Sequence, residues 1–379
     1  MSLLVLIIAE GYMRVLIATE PEDSHAVLVK CALEKTGHAA RLLFMADQPT
    51  KQTNSLFIDN QCFGWTSADT ESITSESEYD VVWWRRPRKP YIPKHLTHPD
   101  DYYFVVRENN LFYESIMYNL APNAFWANDK AASARASSKI LQLRTAVACG
   151  MQIPTTFCSN DPKEIRYFIL RHEEEGVIYK AMSPGFWSDL SSVRVSYTAK
   201  VEFPDLPSNR VLQITPGIFQ KEIQKKYELR VTAFGDYIVA AKIDSQSHMA
   251  GRLDWRAIRD GKLFVTPYVL PLELEAQIRE MMRSLGIVFG AFDFIVTPDN
   301  EYIFLEVNEQ GQFLWIEDIN PIFPMLDIFV QFLLNQSVHF QWNSNLAEHS
   351  ILQYTEQVQA YLLQNRRNHI DPRSFLWKE

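Results

Sequence analysis

The stretch FGAFDFIVTPDNEYIFLEVNEQGQFLW, residues 289–315, predicts two antiparallel strands joined by a tight turn. The turn is the TPDN sequence at 297–300, where Asx and Pro residues each favour a reversal of the chain. A turn at that place predicts that Val296 pairs with Glu301. This pair fixes the register of the whole hairpin, because side chains alternate along each strand.

In this register, Ala291 lies opposite Glu306. Asp293 shares a strand face with Ala291, and Glu306 and Asn308 project on that same face, with Glu306 diagonal to Asp293. At the ~7–8 Å of diagonal neighbours, two carboxylates repel by roughly 2 kcal/mol at an effective dielectric of about 20. A cation between them relieves the repulsion, and two carboxylates with an amide oxygen suit Mg²⁺. The alternative, a solvated polar face on an amphipathic hairpin, stays open from these residues alone.

The composition limits the class of protein. The chain has 379 residues, 47% of them hydrophobic, which predicts a globular protein with more than one domain. Its formal charge of −9 argues against a generic nucleic-acid binder, because no net basic field attracts phosphates. The four cysteines lack metal-ligand spacing, which predicts reduced thiols and a cytoplasmic location. No segment is long and apolar enough to span a bilayer, so no membrane partner is expected.

The order of secondary structure predicts an α/β protein. A strand at Arg14–Ala18, a helix at Asp23–Thr36 and a strand at Ala40–Phe44 are typical of a small parallel sheet. No GxGxxG follows the first strand, so dinucleotide binding is not supported. Further expected elements are a strand at Tyr79–Trp84, helices at Ala134–Cys149, Pro162–Glu174, Leu272–Leu285 and Ser350–Asn365, and a mobile loop at 183–192.

Three cationic side chains lie at positions in the predicted strands and helices that a bound anion would explain. Lys180 lies on an apolar strand, which is costly unless the lysine has an anionic partner, and Lys139 lies beside the apolar face of a helix. Each could instead be a solvated lysine whose stem covers apolar surface. Arg230 shares a strand face with Glu228, and it could bind a phosphate through two parallel hydrogen bonds or simply pair with Glu228.

The joint pattern is more specific than any of its parts. A helix lysine, a strand lysine, an apolar segment at 218–223, an arginine strand and a final D…ExN pattern follow one another. Together they predict a nucleoside triphosphate with Mg²⁺, held between two sheets. The chain has neither the P-loop GxxxxGK[ST] nor the Gly-rich loop, HRD and DFG of protein kinases.

With these motifs, the chain resembles the ATP-grasp enzymes and, more narrowly, the microviridin-type (graspetide) peptide ligases. RimK-like amino-acid ligases are a more distant match. The segments that carry the resemblance are VVWWRRPRK, RASSKILQLRTAVACGMQIPTT, FQKEIQKKYELRVTAFG, KIDSQ with LDWR, and the hairpin, all between Met13 and Leu334. The continuation of the hairpin into GQFLWIE favours the branch of enzymes that mature peptides.

The resemblance implies an ATP-grasp fold of class α/β. It places an N-terminal Rossmann-like pre-ATP-grasp domain at 1–122 and a central subdomain, with both lysines and the mobile loop, at 123–215. A C-terminal ATP-grasp domain follows at 216–335, and a helical extension at 336–379. The implied cofactors are ATP and Mg²⁺, with two metal ions.

The same resemblance assigns roles to individual residues. The lysines contact the α/β-phosphates, Gln220–Ile223 form the adenine hinge, and Arg230 meets the γ-phosphate. The implied ATP-binding residues are Lys139, Lys180, Gln220, Lys221, Glu222, Ile223, Glu228 and Arg230, with Lys180 and Arg230 also assigned to catalysis. The implied metal ligands are Asp293, Glu306 and Asn308.

On the peptide side, the candidates are Arg85, Arg86, Arg256, Glu202 and Asp205. Arg85 and Arg86 end a predicted strand, where the ligands of open α/β sheets collect, and alternation carries Arg85 inward. A surface pair bonded to acidic loops is the alternative. Glu202 and Asp205 lie in a proline-interrupted segment where relatives present a helix to a leader peptide.

The implied function is ATP-dependent ligation within a ribosomally made precursor peptide that carries a leader. A side-chain carboxylate of Asp or Glu becomes an acyl phosphate. A Ser/Thr hydroxyl or a Lys amine of the same peptide then attacks it, which gives an ω-ester or ω-amide macrocycle. The alternative is a RimK-like ligase that adds free amino acids. No nucleic-acid or membrane partner is expected, and a homodimer is left open.

Overall fold

The computed structural model describes residues 11–69, 73–75, 79–182, 186–188, 193–195, 198–258 and 263–372. Most of the mobile loop predicted at 183–192 lies outside these residues. In the described part of the chain, no helix is both long and apolar enough to cross a membrane. The fold is α/β, as predicted, and its strands form several separate sheets.

The strands, in chain order, are β1 (Arg14–Ala18), β2 (Ala39–Leu43), β3 (Thr53–Ile58), β4 (Phe63–Ala68), β5 (Ile73–Ser75), β6 (Val81–Trp84), β7 (Phe125–Ala127), β8 (Thr156–Ser159), β9 (Val177–Lys180), β10 (Phe186–Ser188), β11 (Val193–Val195), β12 (Ala199–Val201), β13 (Gly217–Lys221), β14 (Tyr227–Phe234), β15 (Tyr237–Ile243), β16 (Val265–Tyr268), β17 (Phe289–Val296) and β18 (Tyr302–Asn308). The α-helices are α1 (Ser24–Lys35), α2 (Tyr102–Asn119), α3 (Lys130–Ala136), α4 (Lys139–Ala148), α5 (Pro162–Arg171), α6 (Asn209–Ile214), α7 (Leu272–Leu285), α8 (Trp315–Ile319), α9 (Met325–Asn335) and α10 (Thr355–Asn368). Helix α7 matches its predicted limits, and α10 begins later than predicted because a 3₁₀ turn at Ile351–Tyr354 precedes it.

The helix predicted at Ala134–Cys149 is two helices, α3 and α4, so its predicted extent was wrong. The break falls at consecutive serines. Ser138 has the extended conformation of a residue that precedes a helix, with φ −75° and ψ 104°. Serine suits such a break because its side chain competes for backbone hydrogen bonds inside a helix. Lys139 is therefore the first residue of α4 rather than a mid-helix residue.

The N-terminal unit is built on a parallel sheet with the strand order β2-β1-β6-β7. Helix α1 begins after Asp23, whose side chain accepts hydrogen bonds from the backbone N–H groups of His25 (3.1 Å) and Ala26 (3.4 Å). Helices α1 and α9 pack on one face of this sheet, and α2 covers the other. Because β7 pairs with β6, the predicted boundary at 122/123 separates a strand from its own sheet.

The central unit is an antiparallel sheet with the strand order β12-β9-β13-β8. It has a small apolar core of its own, made of Ile165, Ile169, Val177, Leu212 and Phe219. Strand β13 belongs to this sheet, so the predicted boundary at 215/216 lies one strand too early. Residues 222–226 then carry the chain from this sheet to β14.

The C-terminal sheet has the strand order β16-β15-β14-β17-β18. Every residue of its middle strand, β14, is buried. One face of the sheet packs on α4 and α7 in an apolar core that includes Leu229, Val231 and Phe292. Glu228 and Arg230 alternate with these residues along β14 and line a cavity on the opposite face, which is the polar side that the sequence predicted.

The β17–β18 hairpin forms, but its predicted register was wrong. Val296 pairs with Tyr302 rather than with Glu301. The turn is longer than predicted because the N–H of Thr297 donates to the carbonyl oxygen of Glu301 at 3.0 Å, and Asn300 adopts a left-handed φ of 64°. Asn tolerates that conformation better than most residues, so the loop accommodates the additional residue.

A β-bulge in β18 then shifts the pairing a second time. Phe294 pairs with Phe304, but the next pair is Asp293 with Glu306, which leaves Leu305 as the extra residue. Leu305 and Glu306 consequently both face the cavity, where regular alternation would have turned Glu306 into the apolar core beside Phe304. Asp293 and Glu306 therefore lie directly opposite each other, and the predicted diagonal arrangement is corrected.

The C-terminal extension is fastened by buried carboxylates. Asp327 of α9 accepts hydrogen bonds from Trp342 Nε1 (2.7 Å) and from the backbone N–H of Glu348 (2.8 Å). At the far end, Asp47 of the N-terminal unit accepts a hydrogen bond from the backbone N–H of Ile370 at 2.7 Å. With α10 packed along α1, the extension ties the N-terminal unit to the helix that follows the C-terminal sheet.

Asn128, which follows β7, joins the N-terminal unit to the C-terminal sheet. Its amide nitrogen donates to the carbonyl oxygens of Phe289 (2.8 Å) and Glu309 (2.9 Å). Its amide oxygen accepts from the N–H groups of Val288 (2.7 Å) and Phe289 (2.9 Å). The residue is 1% exposed, and both donors and both acceptor positions of its side chain are used.

We predict that Asn128→Ala lowers the free energy of unfolding by about 3 kcal/mol, because buried backbone groups lose a partner and each costs about 1–3 kcal/mol when left unsatisfied. Urea denaturation followed by tryptophan fluorescence measures the loss. Asn160→Ala is the matched control, since Asn160 is exposed and donates a hydrogen bond to the carbonyl oxygen of Gln213. Equal stabilities of the two variants would contradict this role of Asn128.

Candidate active site

A cavity of about 1180 Å³ lies between the central sheet and the C-terminal sheet. Small-molecule pockets measure about 300–1000 Å³, so this one lies just above the upper end of that range. Nine Lys and Arg side chains line it against six Asp and Glu side chains, although the chain as a whole has a net charge of −9. A surplus of positive charge in an acidic protein suits a bound polyanion.

Most of the residues predicted from the sequence line this cavity. They are Arg86, Lys139, Lys180, Gln220, Lys221, Glu222, Ile223, Glu228, Arg230, Arg256, Asp293, Glu306 and Asn308. Three predicted residues lie elsewhere, namely Arg85, Glu202 and Asp205. The structure therefore brings the predicted nucleotide and metal residues together, and it divides the predicted peptide-side residues.

Asp293 and Glu306 form a pair of carboxyl groups whose pKa values are shifted in opposite directions. Burial raises the pKa of the Asp293 carboxyl, with Arg230 opposing the rise and Glu306 adding to it. Burial also acts to raise the pKa of Glu306, but Lys139 and Lys180 outweigh it and hold that pKa at about 2. Glu306 is therefore ionised at neutral pH, and its charge disfavours ionisation of Asp293.

The set of Asp293, Glu306 and Asn308 fits Mg²⁺ by its chemistry. All three side chains offer hard oxygen ligands, and Mg²⁺ commonly binds one or two carboxylates and completes its shell with water and substrate phosphates. Asn308 pairs with Ala291 at the end of β18, and its Nδ2 donates to Asp293 Oδ2 at 3.4 Å. Among the described residues, no group of three or more His, Cys, Asp or Glu side chains is placed to hold a metal, and this set contains only two such side chains.

Arg230 holds Asp293 rather than its strand neighbour Glu228. Its Nη1 donates to both carboxylate oxygens of Asp293 at 2.8 Å, and its Nη2 donates to the carbonyl oxygen of Gln312 at 2.8 Å. Glu228 pairs instead with Lys225 at 3.1 Å, and burial raises the pKa of Glu228. Of the two partners left open by the sequence, the structure thus excludes Glu228.

Lys139 reaches Glu306 because helix α4 is fixed to strand β18. Lys139 Nζ donates to Glu306 Oε2 at 2.9 Å. One turn along the helix, Gln142 donates through Nε2 to the carbonyl oxygen of Val307 at 2.8 Å and accepts through Oε1 from the N–H of Val307 at 2.9 Å. Gln142 was not predicted. Its only signal in the sequence is a polar residue between the apolar positions of a helix.

Lys180 projects into the same cavity from β9. It is half-buried and lines the cavity beside Ile178. Burial lowers the pKa of its ammonium to about 8, with Glu306 acting to raise it and Lys139 to lower it further. A lysine with this pKa changes its charge close to physiological pH.

The predicted hinge at 220–223 lines the cavity where the chain leaves β13 for β14. The charged side chains of this segment are paired: Lys221 with Glu175 at 2.9 Å, and Glu222 with Lys200 at 3.2 Å. The segment thus combines a cavity-lining position with charges that have partners in the central unit. A planar base can meet backbone groups of such an extended segment.

Of the two adjacent arginine candidates, Arg85 does not reach the cavity. Its side chain is 0% exposed, pairs with Asp23 at 3.0 Å and donates to the carbonyl oxygen of Gly311 at 3.1 Å. Alternation did carry Arg85 inward, but the inward direction at this strand end leads to a buried ion pair. Arg86 is the member of the pair that lines the cavity.

Of the other three peptide-side candidates, one lines the cavity and two do not. Arg256 lines the cavity and is held by Asp254 through hydrogen bonds of 2.8 and 2.6 Å, which raise its pKa above the ordinary value. Glu202 and Asp205 lie around a 3₁₀ turn at Phe203–Asp205, away from the cavity. The short α6 follows them, so the proline-interrupted segment still contains a helical turn.

His25 is a positioning residue that was not predicted. Its Nε2 accepts hydrogen bonds from the N–H groups of Phe313 (3.3 Å) and Leu314 (3.2 Å), which lie shortly after β18. Burial, followed by the charge of Arg85, lowers the pKa of His25 to about 3, so the ring is neutral and keeps a lone pair for these bonds. A lone histidine in a helical pattern gives no hint of this contact.

No protein-family model matches this chain, and no curated protein is similar to it in sequence. Solved structures do match. The chain is similar to the macrocyclase MdnC from Microcystis aeruginosa, which was solved with its precursor peptide MdnA. The two share 31% identity over 86% of this chain and 100% of MdnC, with a TM-score of 0.75.

Two further structures are similar over comparable lengths. The macrocyclase MdnB from Microcystis aeruginosa has 26% identity over 85% of this chain and 99% of MdnB, with a TM-score of 0.71. A RiPP-associated ATP-grasp ligase from Chryseobacterium gregarium, solved with ADP and a leader and core peptide, has 27% identity. That match covers 85% of this chain and 96% of the ligase, with a TM-score of 0.75. The similarity thus extends over nearly the whole of each relative.

We predict that the amine of Lys180 titrates near pH 8. The ammonium form prevails below that pH and the nucleophilic amine above it, so acylation by acetic anhydride should reach half of its maximal rate near pH 8. Pulse labelling followed by peptide mass spectrometry measures the profile, with exposed Lys163 as the reference. A profile for Lys180 that coincides with that of Lys163 would contradict the burial of this amine.

Glu306→Gln should shift the Lys180 profile to lower pH, because the Glu306 carboxylate acts to raise the pKa of Lys180. The matched control is Glu301→Gln, an exposed glutamate in the turn of the same hairpin. It should leave the profile unchanged. A shift to higher pH in Glu306→Gln would show that the two groups do not interact as the structure places them.

Proposed function

The chain belongs to the family of ATP-grasp ligases that mature ribosomally made peptides (the graspetide ligases), and on that premise we propose that it closes macrocycles in a precursor peptide. It activates a side-chain carboxylate of Asp or Glu as an acyl phosphate, with ATP as phosphoryl donor, and joins it to a hydroxyl or amine of the same peptide. The observation that carries the proposal is the facing pair of Asp293 and Glu306, each bonded to a cation in a cavity between two sheets.

In this proposal, different residues of the cavity bind the adenine, the α/β-phosphates and the γ-phosphate of ATP. The hinge at 220–223 receives the adenine, the two lysines receive the α/β-phosphates, and Arg230 receives the γ-phosphate. Arg230 and Lys139 hydrogen-bond to Asp293 and Glu306 in the structure. With ATP and Mg²⁺ bound, Arg230 and Lys139 would pair with the phosphates, and Asp293 and Glu306 would hold the metal. No charge is left buried without a partner in either arrangement.

The first step transfers a phosphoryl group, which requires positioning and charge neutralisation more than covalent help. A carboxylate oxygen of the peptide attacks the γ-phosphorus, the bond to the bridging oxygen breaks, and ADP leaves with that electron pair. Arg230 and Lys180 neutralise the charge on the transferring oxygens, and the carbonyl of Gln312 holds Arg230 at 2.8 Å. Bound Mg²⁺ supplies a Lewis acid that polarises the phosphate oxygens.

The second step forms the macrocycle. The hydroxyl or amine of the peptide attacks the acyl carbon, the bond between that carbon and the phosphate oxygen breaks, and inorganic phosphate leaves with the electron pair. The proton of the nucleophile leaves with the phosphate or passes to solvent. Each new bond therefore consumes one ATP and removes one water from the peptide.

The proposal includes a leader segment on the peptide and two Mg²⁺ ions. The oxygens of Asp293, Glu306 and Asn308 offer enough lone pairs for two ions that also bind phosphate. A cytoplasmic location agrees with the four free cysteines, and it remains a prediction, as does a homodimer. A RimK-like ligase of free amino acids would use the same nucleotide half. It is not favoured, because MdnC and the Chryseobacterium ligase were solved with peptides bound.

Co-expression with a candidate precursor peptide that carries repeated Thr/Ser and Glu/Asp residues tests the function. We expect mass spectrometry to show the loss of one water for each bond formed, and none when Asp293 is replaced by Asn. The added mass of an amino acid would instead support the rival ligase. A precursor that keeps its full mass with the wild-type enzyme, ATP and Mg²⁺ would refute macrocycle formation.

We predict that Glu306→Gln and Asp293→Asn each reduce ADP formation more than tenfold at saturating Mg²⁺. Each variant removes a negative charge from the cation that neutralises the phosphates, while the shape of the side chain is kept. The measurement is a coupled ADP assay with the precursor present. Glu301→Gln serves as the control, since Glu301 is exposed at the turn of the same hairpin. Retention of more than about a tenth of the wild-type rate in the first two variants would overturn their assignment as metal ligands.

We predict that Arg86→Ala slows precursor modification and leaves ADP affinity by calorimetry unchanged, because Arg86 lines the cavity and is assigned no contact with ATP in this proposal. Arg85→Ala should instead destabilise the fold by about 3–5 kcal/mol, since it leaves the buried Asp23 carboxylate without its cation. Thermal denaturation separates the two effects. If Arg86→Ala modifies the precursor at the wild-type rate, Arg86 is not a substrate contact.

A further inference from the structure

We propose that the end of the cavity beside Arg230 is a subsite for a large apolar side chain of the precursor, next to the residue whose carboxylate is activated. This proposal rests on the proposed function and refines its substrate. Its central observation is a pair of indoles, Trp255 and Trp315, whose rings stack with centroids 4.7 Å apart and an interplanar angle of 28°. Both rings line the cavity together with Ile319. The assignment of ATP and Mg²⁺ uses none of these side chains.

The indole pair lies at the γ-phosphate end of the cavity. One carbonyl oxygen, that of Gln312, accepts hydrogen bonds from both Arg230 Nη2 (2.8 Å) and Trp315 Nε1 (3.2 Å). Arg230 also holds both carboxylate oxygens of Asp293 at 2.8 Å. The indole pair and Arg230 are therefore joined through one carbonyl oxygen. In the proposed function Arg230 binds the γ-phosphate, and the peptide carboxylate that attacks this phosphate has to arrive beside it.

Arg256 provides the polar half of the subsite. It follows Trp255 in the chain, and its side chain is 50% exposed and lines the cavity. Asp254 takes two of its five N–H donors and fixes the guanidinium. The charge of Arg256 acts to lower the pKa of both Asp293 and Glu306, which shows that it lies within electrostatic range of the reacting centre.

A peptide segment with an acidic residue beside a large apolar one satisfies both halves. Arg256 attracts the carboxylate, and the indoles offer a flat apolar surface on which an aromatic or aliphatic side chain is removed from water. The subsite continues directly from the nucleotide and metal residues. A free amino acid fits less well, because its ammonium group would enter a cavity with a surplus of lysine and arginine.

The experiment uses a precursor library in which the two residues that flank the first modified acid are randomised. The library is co-expressed with the wild-type enzyme, and the dehydrated peptides are separated by mass and sequenced. We expect Phe, Tyr, Trp, Leu, Ile and Met to be enriched at least fivefold at one flanking position. In Trp255→Ala the enrichment should fall below twofold, whereas ADP affinity by calorimetry should not change.

Phe57→Ala is the matched control, since Phe57 is 60% exposed on a hairpin of the N-terminal unit, and it should keep the wild-type enrichment. Should Trp255→Ala fail to bind ADP, Ile319→Ser provides the second test, because Ile319 is 40% exposed and its replacement spares the indole stack. A flat wild-type profile, or an enrichment that survives both variants, overturns the subsite and leaves the proposed function standing. If the wild-type enzyme does not dehydrate the parent precursor, both the subsite and the proposed function are refuted.

Discussion

Two like charges placed opposite each other are the constraint on which this molecule depends. Asp293 and Glu306 occupy paired positions on neighbouring strands, where side chains are only about 5 Å apart, and both are largely removed from water. Such a pair is tolerable only with cations at hand. Arg230 comes from the adjacent strand of the same sheet, and Lys139 from the first residue of a helix that is fixed to β18. The two carboxylates are thus linked, through the cations that pair with them, to the adjacent strand β14 and to helix α4.

The segment at 309–314, which directly follows β18, is held mainly from outside its own sheet. Asn128 binds the carbonyl of its first residue, Arg85 binds carbonyls in its middle, and His25 accepts from N–H groups at its end. Arg230 adds a bond from the cavity side. The N-terminal unit therefore contributes to the site mostly by fixing backbone, which explains why it brings few side chains into the cavity itself.

The parts of the site that could be predicted from the sequence are those that local rules determine. Alternation along β14 places Glu228 and Arg230 on the cavity face, opposite the buried Leu229 and Val231, and the limits of α7 follow from its apolar periodicity and the glycine that ends it. Alternation also says that Arg85 points inward, but only the packing of other units decides whether that direction is a cleft or a core. Asn128 and Gln142 could not be found, because each is a single polar residue whose partners in the C-terminal sheet lie more than 150 positions away. The hairpin register failed for a related reason, since turn length and bulge depend on one left-handed residue and on side-chain packing across the sheet.

The bulge at Leu305 makes the chemistry of the site depend on strand pairing as well as on residue type. If β18 paired regularly with β17 from Phe304 onward, with Leu305 in the ladder, Glu306 and Asn308 would point into the apolar core while Val307 pointed into the cavity. No residue would have been replaced, yet both polar side chains that this strand brings to the cavity would be lost from it. The polar side of the cavity is therefore set by one irregularity of the backbone as much as by the identity of the residues that line it.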